Sequence, residues 1–196
     1  MAKSIFKNVE DESLSYMYGL DAIPSLIIHK IKVLLGNEWD SYFKFAFVRN
    51  PWDRMVSQYN YTKQLFATPN LVDAKNESAI RYREEIVKNL GKDYTFEEFL
   101  SAKCPKPLDP NWNNQHIYIS DGGEVVIDYV GRFETISKDW GYVCKKLNLV
   151  APILRINVTK HRHYSTYYND NTRNMVYLLC KRDIELFNYN YNTSND

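Results

Sequence analysis

Apolar and polar positions along the chain change their period several times, and each change marks an element. From Ala22, Pro24 and the run Leu26, Ile27, Ile31, Leu34 and Leu35 recur at helical spacing and stop at Gly36, predicting an amphipathic helix. Phe43-Lys44-Phe45-Ala46-Phe47-Val48 is instead a short aromatic and β-branched run, predicting a strand buried on most sides. Asn50-Pro51 ends that strand and starts a helix. Asn is a preferred N-cap, Pro is tolerated at the first helical position, and Asp53 adds negative charge to the first turn. The new helix carries Trp52, Met55, Val56, Tyr59 and Phe66 at helical spacing and leaves Arg54, Ser57 and Tyr61 on other faces.

Further along, residues 68–76 are polar with one proline and predict a loop, and "ESAIRYREEIVKNLG" resumes a helical pattern that ends at Gly91. Thr95, with Glu98 three residues on, is a capping box opening a short helix in "TFEEFLSAK". Cys104 to Gln115 holds three prolines and predicts an extended crossing segment. In "HIYISDGGEVVIDYVGRFE" two alternating runs flank Asp121-Gly122-Gly123, a hairpin signal, with the second run ending at Gly131-Arg132. "ETISKDWGYVCKKLNL" returns to a helix with Ile136, Trp140, Val143, Cys144 and Leu147 on one side. A long polar loop with one short strand then leads to a final helix from about Thr172 to Phe187. No repeat or linker intervenes, so the pattern predicts one α/β domain over residues 1–196, a sheet core flanked by helices.

Composition narrows the function classes. Lys+Arg 25 against Asp+Glu 24 gives a net charge of +1, unlike the strongly basic balance of a general nucleic-acid binder, so any anion site must be local. Aromatic residues make up 15%, with 16 Tyr, which suits a tyrosine-rich core and surface as well as an aromatic-lined pocket for a base or sugar. Cys104, Cys144 and Cys180 are odd in number and widely spaced, which argues against both a structural zinc and a disulfide framework. His161 and His163 have a spacing that suits a metal on a strand, but no third ligand accompanies them, so no metal is expected. No apolar run approaches the roughly 20 residues that span a bilayer, and no signal-peptide pattern opens the chain, so a cytoplasmic setting is expected.

The junction in "FKFAFVRNPWDRMVSQYNY" holds the densest candidate chemistry. A strand, a tight turn and a helix N-terminus gather backbone N–H groups and the positive end of a helix dipole, which together suit an anion. Arg49 at the mouth offers a planar fork of donors matched to phosphate, and Ser57, two turns into the helix, offers a hydroxyl. The same residues also read as an ordinary β-α junction with a capped helix and surface arginines.

These residues carry a resemblance. "FVRNPWDRMVSQY" resembles the 3′-phosphate-binding segment of the carbohydrate sulfotransferases that use 3′-phosphoadenosine 5′-phosphosulfate, the group of the chondroitin, dermatan and heparan sulfate enzymes and their microbial relatives. "IDYVGRFETISKDWGYVCKKLNL" is similar to that family's "D-x-x-G-R-F-E" stretch and following helix, and "INVTKHRHYSTYYNDNTRNMVYLLCKRDIELFNY" to its C-terminal segment, so the likeness runs from about Ala22 to Tyr191. It implies a P-loop-NTPase-like sulfotransferase fold and transfer of a sulfuryl group to a carbohydrate hydroxyl, with an adenine nucleotide as cosubstrate and no metal. Arg49 and Ser57 would hold the 3′-phosphate, while Arg132, Lys160 and His161 would face the nucleotide. Arg132 also reads as the structural partner of Glu134 or another carboxylate, and "KHRH" as a solvated basic loop.

The family opens with a strand and a "PKxxGTS" type loop around the 5′-phosphosulfate. Here Ala2-Lys3-Ser4-Ile5 resembles the end of that loop, which implies a chain truncated at its N-terminus relative to the family, with Lys3 beside the transferred group and Ser4 on the 5′-phosphate. Where relatives often carry a histidine before the first helix, this chain has Asp21, a base only if burial raises its pKa, and His29 reads as a structural or surface histidine. Family members of the Golgi lumen sit behind a membrane anchor, which these residues do not contain, so a cytoplasmic microbial or viral setting is expected, or the Golgi lumen for a eukaryotic chain whose N-terminal anchor is missing here. The alternative reading is a non-catalytic relative that keeps the nucleotide half-site, and near-zero net charge disfavours a nucleic-acid scaffold.

Overall fold

Lys44 shows how the first strand is set. In the computed structural model, which describes residues 25–67, 88–91, 93–103, 114–153 and 161–192, its carbonyl accepts the N–H groups of Asp128 (2.9 Å) and Tyr129 (3.1 Å). Its own N–H donates to the Asp128 carboxylate at 2.7 Å and its Nζ pairs with that carboxylate at 3.0 Å. Strand β1, Phe45–Val48, thereby pairs with β4, Tyr129–Arg132. Lys44 lies beside residues 128–129 and Phe47 beside Gly131, the same order on both strands, so the small sheet is parallel. The chain forms two compact units, Met1–Phe47 with Ile117–Ile153 and Val48–His116 with Leu154–Asp196.

In the first unit the helix expected to close at Gly36 is α1, Ser25–Leu35, followed by a 3₁₀ turn at Gly36–Ser41. The predicted hairpin is present but shorter, pairing β2, Ser120–Asp121, with β3, Glu124–Val125, in antiparallel register. Its turn needs Gly122 and Gly123, whose φ values of +60° and +89° are those of a two-residue turn that glycine adopts without strain. The second alternating run does not continue the hairpin to Arg132. Asp128 turns the chain onto Lys44, and residues 129–132 become a strand of the parallel pair instead. The helix α4, Ile136–Leu147, packs against β4 with Val143 fully buried and Trp140 tilted against Phe45 and Phe47.

The second unit is built on α2, Pro51–Ala67, which starts where the Asn50-Pro51 signal puts it. The Asn50 Oδ1 accepts the Trp52 N–H at 3.0 Å and the Asn50 carbonyl accepts the Arg54 N–H at 2.8 Å, an N-cap. The predicted capping box is likewise present before α3, Phe96–Lys103: Thr95 N–H donates to Glu98 (2.7 Å) and Glu98 N–H to Thr95 Oγ1 (3.2 Å). Of the helix expected up to Gly91, residues 88–90 are described and helical, while the prolines of Cys104–Gln115 fall largely outside the described residues.

The final helix starts two residues earlier than expected and is broken in its middle. Asn169 caps it, with Thr172 as its reciprocal partner, so α5 spans Asp170–Leu179. It then breaks at Cys180 (φ −110°, ψ 20°), and α6 covers Lys181–Leu186. The apolar spacing runs through the break without Gly or Pro, which is why the sequence reads as one helix. Trp52, Met55, Val56, Phe99, Leu100, Val176, Cys180 and Ile184 form the core of this unit. Aromatic edges line it: Tyr168 sits edge-on to Phe96 at 4.9 Å, and Tyr191 edge-on to Trp52 and Tyr164, both at 5.5 Å. An α/β architecture with a small parallel sheet and flanking helices is compatible with the fold that the resemblance implies.

Candidate functional site

Arg49 follows the buried end of β1 and precedes the cap of α2, so the backbone presents it at a turn. Its Nε donates to Asp53 Oδ2 at 2.6 Å across one helical turn, with both side chains about 20% exposed. Asp53 and Ser57 are four residues apart on α2, so Arg49, Asp53 and Ser57 follow one stripe of the helix. Ser57 is half-buried, and its hydroxyl has no hydrogen-bond partner among the described residues. Asp53 thus stands between Arg49 and Ser57 in the sequence of that stripe, paired with the arginine.

The start of α2 offers fewer backbone donors than its sequence suggests. Of the N–H donors expected at the helix start, Pro51 has none, and that of Trp52 is already taken by the Asn50 cap. An anion here relies on side chains and the helix dipole more than on those two positions. Asp53 in turn braces the guanidinium against the helix, as a strut would.

Sequence reasoning missed the network behind Arg49. The Gln115 amide takes both backbone groups of Arg49: Oε1 accepts its N–H at 2.8 Å, and Nε2 donates to its carbonyl at 2.8 Å. Gln115 N–H donates to Asp183 Oδ2 (2.6 Å), and His116 N–H to Asp183 Oδ1 (2.9 Å). The His116 ring meets the same side chain through Nδ1 at 2.6 Å. Asp183 is wholly buried. A buried polar group needs partners, and the Gln115 N–H, the His116 N–H and the His116 ring supply them, with Gln115 Nε2 a longer contact at 3.5 Å. A signal was available: Val176, Cys180, Asp183, Ile184 and Phe187 lie at helical spacing, so Asp183 is an acid on an apolar stripe.

His161 lies in the second unit as well. With Arg162, Thr166 and Tyr167 it lines an open cleft of about 590 Å³. Its Nδ1 is bonded to the Arg162 carbonyl at 2.8 Å, and its ring stands edge-on to Tyr167 at 6.4 Å. His163 instead caps the 3₁₀ turn Tyr164–Tyr167, accepting from Ser165 N–H. The Tyr168 hydroxyl donates to the Trp52 carbonyl at 2.8 Å, and burial pushes it well above the usual tyrosine range, so it stays protonated. Among the described residues no group of three or more His, Cys, Asp or Glu is arranged to hold a metal.

Arg132 belongs to the first unit and ends β4. Its N–H donates to Asp139 Oδ2 at 2.8 Å, and Asp139 also accepts from Thr135 Oγ1 (2.7 Å) and the Tyr129 hydroxyl (2.8 Å). Burial works against this charge, but the three donors and nearby Lys138 outweigh it and hold the carboxyl below the ordinary aspartate range. His29 is an exposed residue whose Nδ1 is 3.4 Å from Asp121, in keeping with a surface role. Lys3, Ser4, Asp21 and Lys160 lie outside the described residues.

Comparison with known proteins adds a separate line of support. The family model described as "Sulfotransferase family" matches residues 29–190. An uncharacterised protein of Archaeoglobus fulgidus is 28% identical over 127 residues, 64% of this chain and 85% of that protein. Carbohydrate sulfotransferase 11 of Rattus norvegicus is 26% identical over 174 residues, covering 79% of this chain and 49% of the relative. Carbohydrate sulfotransferase 14 of Danio rerio is 26% identical over 183 residues, covering 87% and 44%. The chain thus spans about half the length of these curated sulfotransferases. No solved structure matches with significance. Among the described residues no helix is long and apolar enough to cross a membrane.

Proposed function

The chain belongs to the sulfotransferase family, as a family 2 member, and on that premise we propose that it transfers a sulfuryl group from 3′-phosphoadenosine 5′-phosphosulfate to a carbohydrate hydroxyl. The reading extends to a single sulfotransferase-like domain over residues 1–196, with a P-loop-like fold and a setting in the cytoplasm, or in the Golgi lumen for a eukaryotic chain behind an anchor. The observation that carries it is the Arg49–Asp53–Ser57 stripe at the capped start of α2. Arg49 supplies a charged fork, Ser57 a hydroxyl without a described partner, and the dipole of α2 a positive end. Together they suit a phosphate monoester, the feature that distinguishes this cosubstrate from an ordinary 5′-nucleotide.

Sulfuryl transfer needs an acceptor hydroxyl and a leaving phosphate in line, charge stabilisation on the moving group and a base for the hydroxyl proton. In this reading Lys3 and Ser4 serve the 5′-phosphosulfate, Asp21 takes the acceptor proton, and Arg132, Lys160 and His161 contact the nucleotide. The cleft beside His161 and Tyr167 has aromatic and basic walls of the kind an adenosine uses. No metal is required, because basic side chains supply the positive charge.

The test is transfer of labelled sulfuryl from the cosubstrate to a panel of carbohydrate acceptors. Incorporation that falls at least tenfold in Arg49→Ala supports the reading, the factor expected for loss of one charge-assisted phosphate contact. Cosubstrate binding without transfer to any acceptor favours a relative that only binds the nucleotide.

A further inference from the structure

Gln115 acts on Arg49 as a neighbouring strand would. Backbone groups beyond a strand's end usually turn to water, yet both polar groups of Arg49 are taken by one side-chain amide at 2.8 Å each. Two bonds from a planar group to one residue fix that residue's orientation as well as its position. The amide is itself anchored: Gln115 N–H and His116 N–H both donate to the buried Asp183, and the His116 ring closes on the same carboxylate. Asn50, next in the chain, is tied by Nδ2 to the Asn190 carbonyl at 3.1 Å. Segments far apart in sequence, around residues 49–50, 115–116, 183 and 190, are thereby locked at one turn.

We propose that Gln115 and Asp183 are positioning residues for the phosphate site, fixing the Arg49 backbone so that its guanidinium, braced by Asp53, is preset to meet the 3′-phosphate. The inference rests on the 3′-phosphate reading given above. The physical gain is preorganisation: an arginine at a turn loses backbone and rotamer freedom on binding, and a clamp that has already removed the backbone part leaves less to lose. Asp183 acts one step further back, through the Gln115 and His116 backbone, and its burial keeps water from competing for those bonds.

The test is calorimetric binding of adenosine 3′,5′-bisphosphate and adenosine 5′-monophosphate to the full chain and to Gln115→Met. Methionine fills similar volume without either hydrogen bond, and the ring N–H resonance of His116 reports whether the contact with Asp183 survives. The expected result is an unchanged monophosphate affinity, a retained His116 signal, and a preference for the bisphosphate reduced about tenfold, the scale of one to two lost hydrogen bonds. Gln115→Ala is the second variant, for the case where methionine disturbs the neighbourhood, and the same loss of preference is expected. An undiminished preference, or equal weakening of both ligands, overturns the positioning role while leaving the 3′-phosphate reading in place. A wild-type chain with no preference for the 3′-phosphate overturns that reading first, and this inference falls with it.

Discussion

Each unit sets a buried aspartate behind a candidate arginine, and the two do it differently. Asp139 collects Tyr129, Arg132 and Thr135, all within ten residues of it in the chain. Asp183 collects Gln115 and His116, 68 and 67 residues away. The first is a local knot that a strand, a turn and a helix tie as they form. The second is a long-range tie that exists only once the unit is assembled, and it bears on the residue that matters most for the proposed chemistry. Local knots shape an element, whereas distant ones fix where separate elements meet.

That contrast predicts graded effects. Asp183→Ala should be the most damaging change, costing roughly 3–5 kcal/mol in denaturant unfolding, because it leaves the His116 ring and two N–H groups buried without their carboxylate. A loss below about 1 kcal/mol would mean that water reaches those donors and that the tie is weaker than drawn. Next comes Gly131→Ala. A Cβ there would lie 2.6 Å from the Phe47 ring and 3.2 Å from Asp139 Cβ, so the pairing of β1 with β4 must shift, at roughly 1–3 kcal/mol. Wild-type-like stability would show that the Phe47 ring yields freely.

Asp139→Asn should cost less, about 1 kcal/mol, since the Tyr129 and Thr135 hydroxyls can turn to solvent or act as acceptors themselves. The smallest effect is on pH dependence. The Asp139 carboxyl is held below its ordinary value of 3.8, so its contribution to stability is complete above that pH and is lost as pH falls through the depressed value. Asp139→Asn should therefore flatten the acid side of the stability profile below about pH 4 and leave neutral-pH curvature unchanged, as read from unfolding midpoints across pH. An unaltered acid limb would show that other carboxylates dominate it.

The same contrast explains what the sequence made legible. Asn50-Pro51 before α2 and Thr95 with Glu98 before α3 are short-range signals, and both caps stand where the pattern puts them. The positions of Arg49 before the cap and of Ser57 within α2 were likewise readable, because strand, cap and helix period fix where the helix begins. Two boundaries were not: Asp128 turns the hairpin's second run onto Lys44, and the final helix breaks at Cys180 while its apolar period continues. Gln115 and His116 close a proline-rich stretch with no period of its own, so nothing local marks their pairing with Asp183. The acid on the apolar stripe of α6 was the one visible trace of that tie.

Everything proposed for this chain turns on whether Arg49 and the start of α2 bind a 3′-phosphate. Calorimetry with adenosine 3′,5′-bisphosphate and adenosine 5′-monophosphate, on the wild-type chain and on Arg49→Ala, tests it most directly. The wild type should prefer the bisphosphate by roughly tenfold or more, the scale of one charge-assisted contact, and Arg49→Ala should remove the preference. Equal affinity for the two nucleotides in the wild type, or a preference that survives in Arg49→Ala, would contradict it.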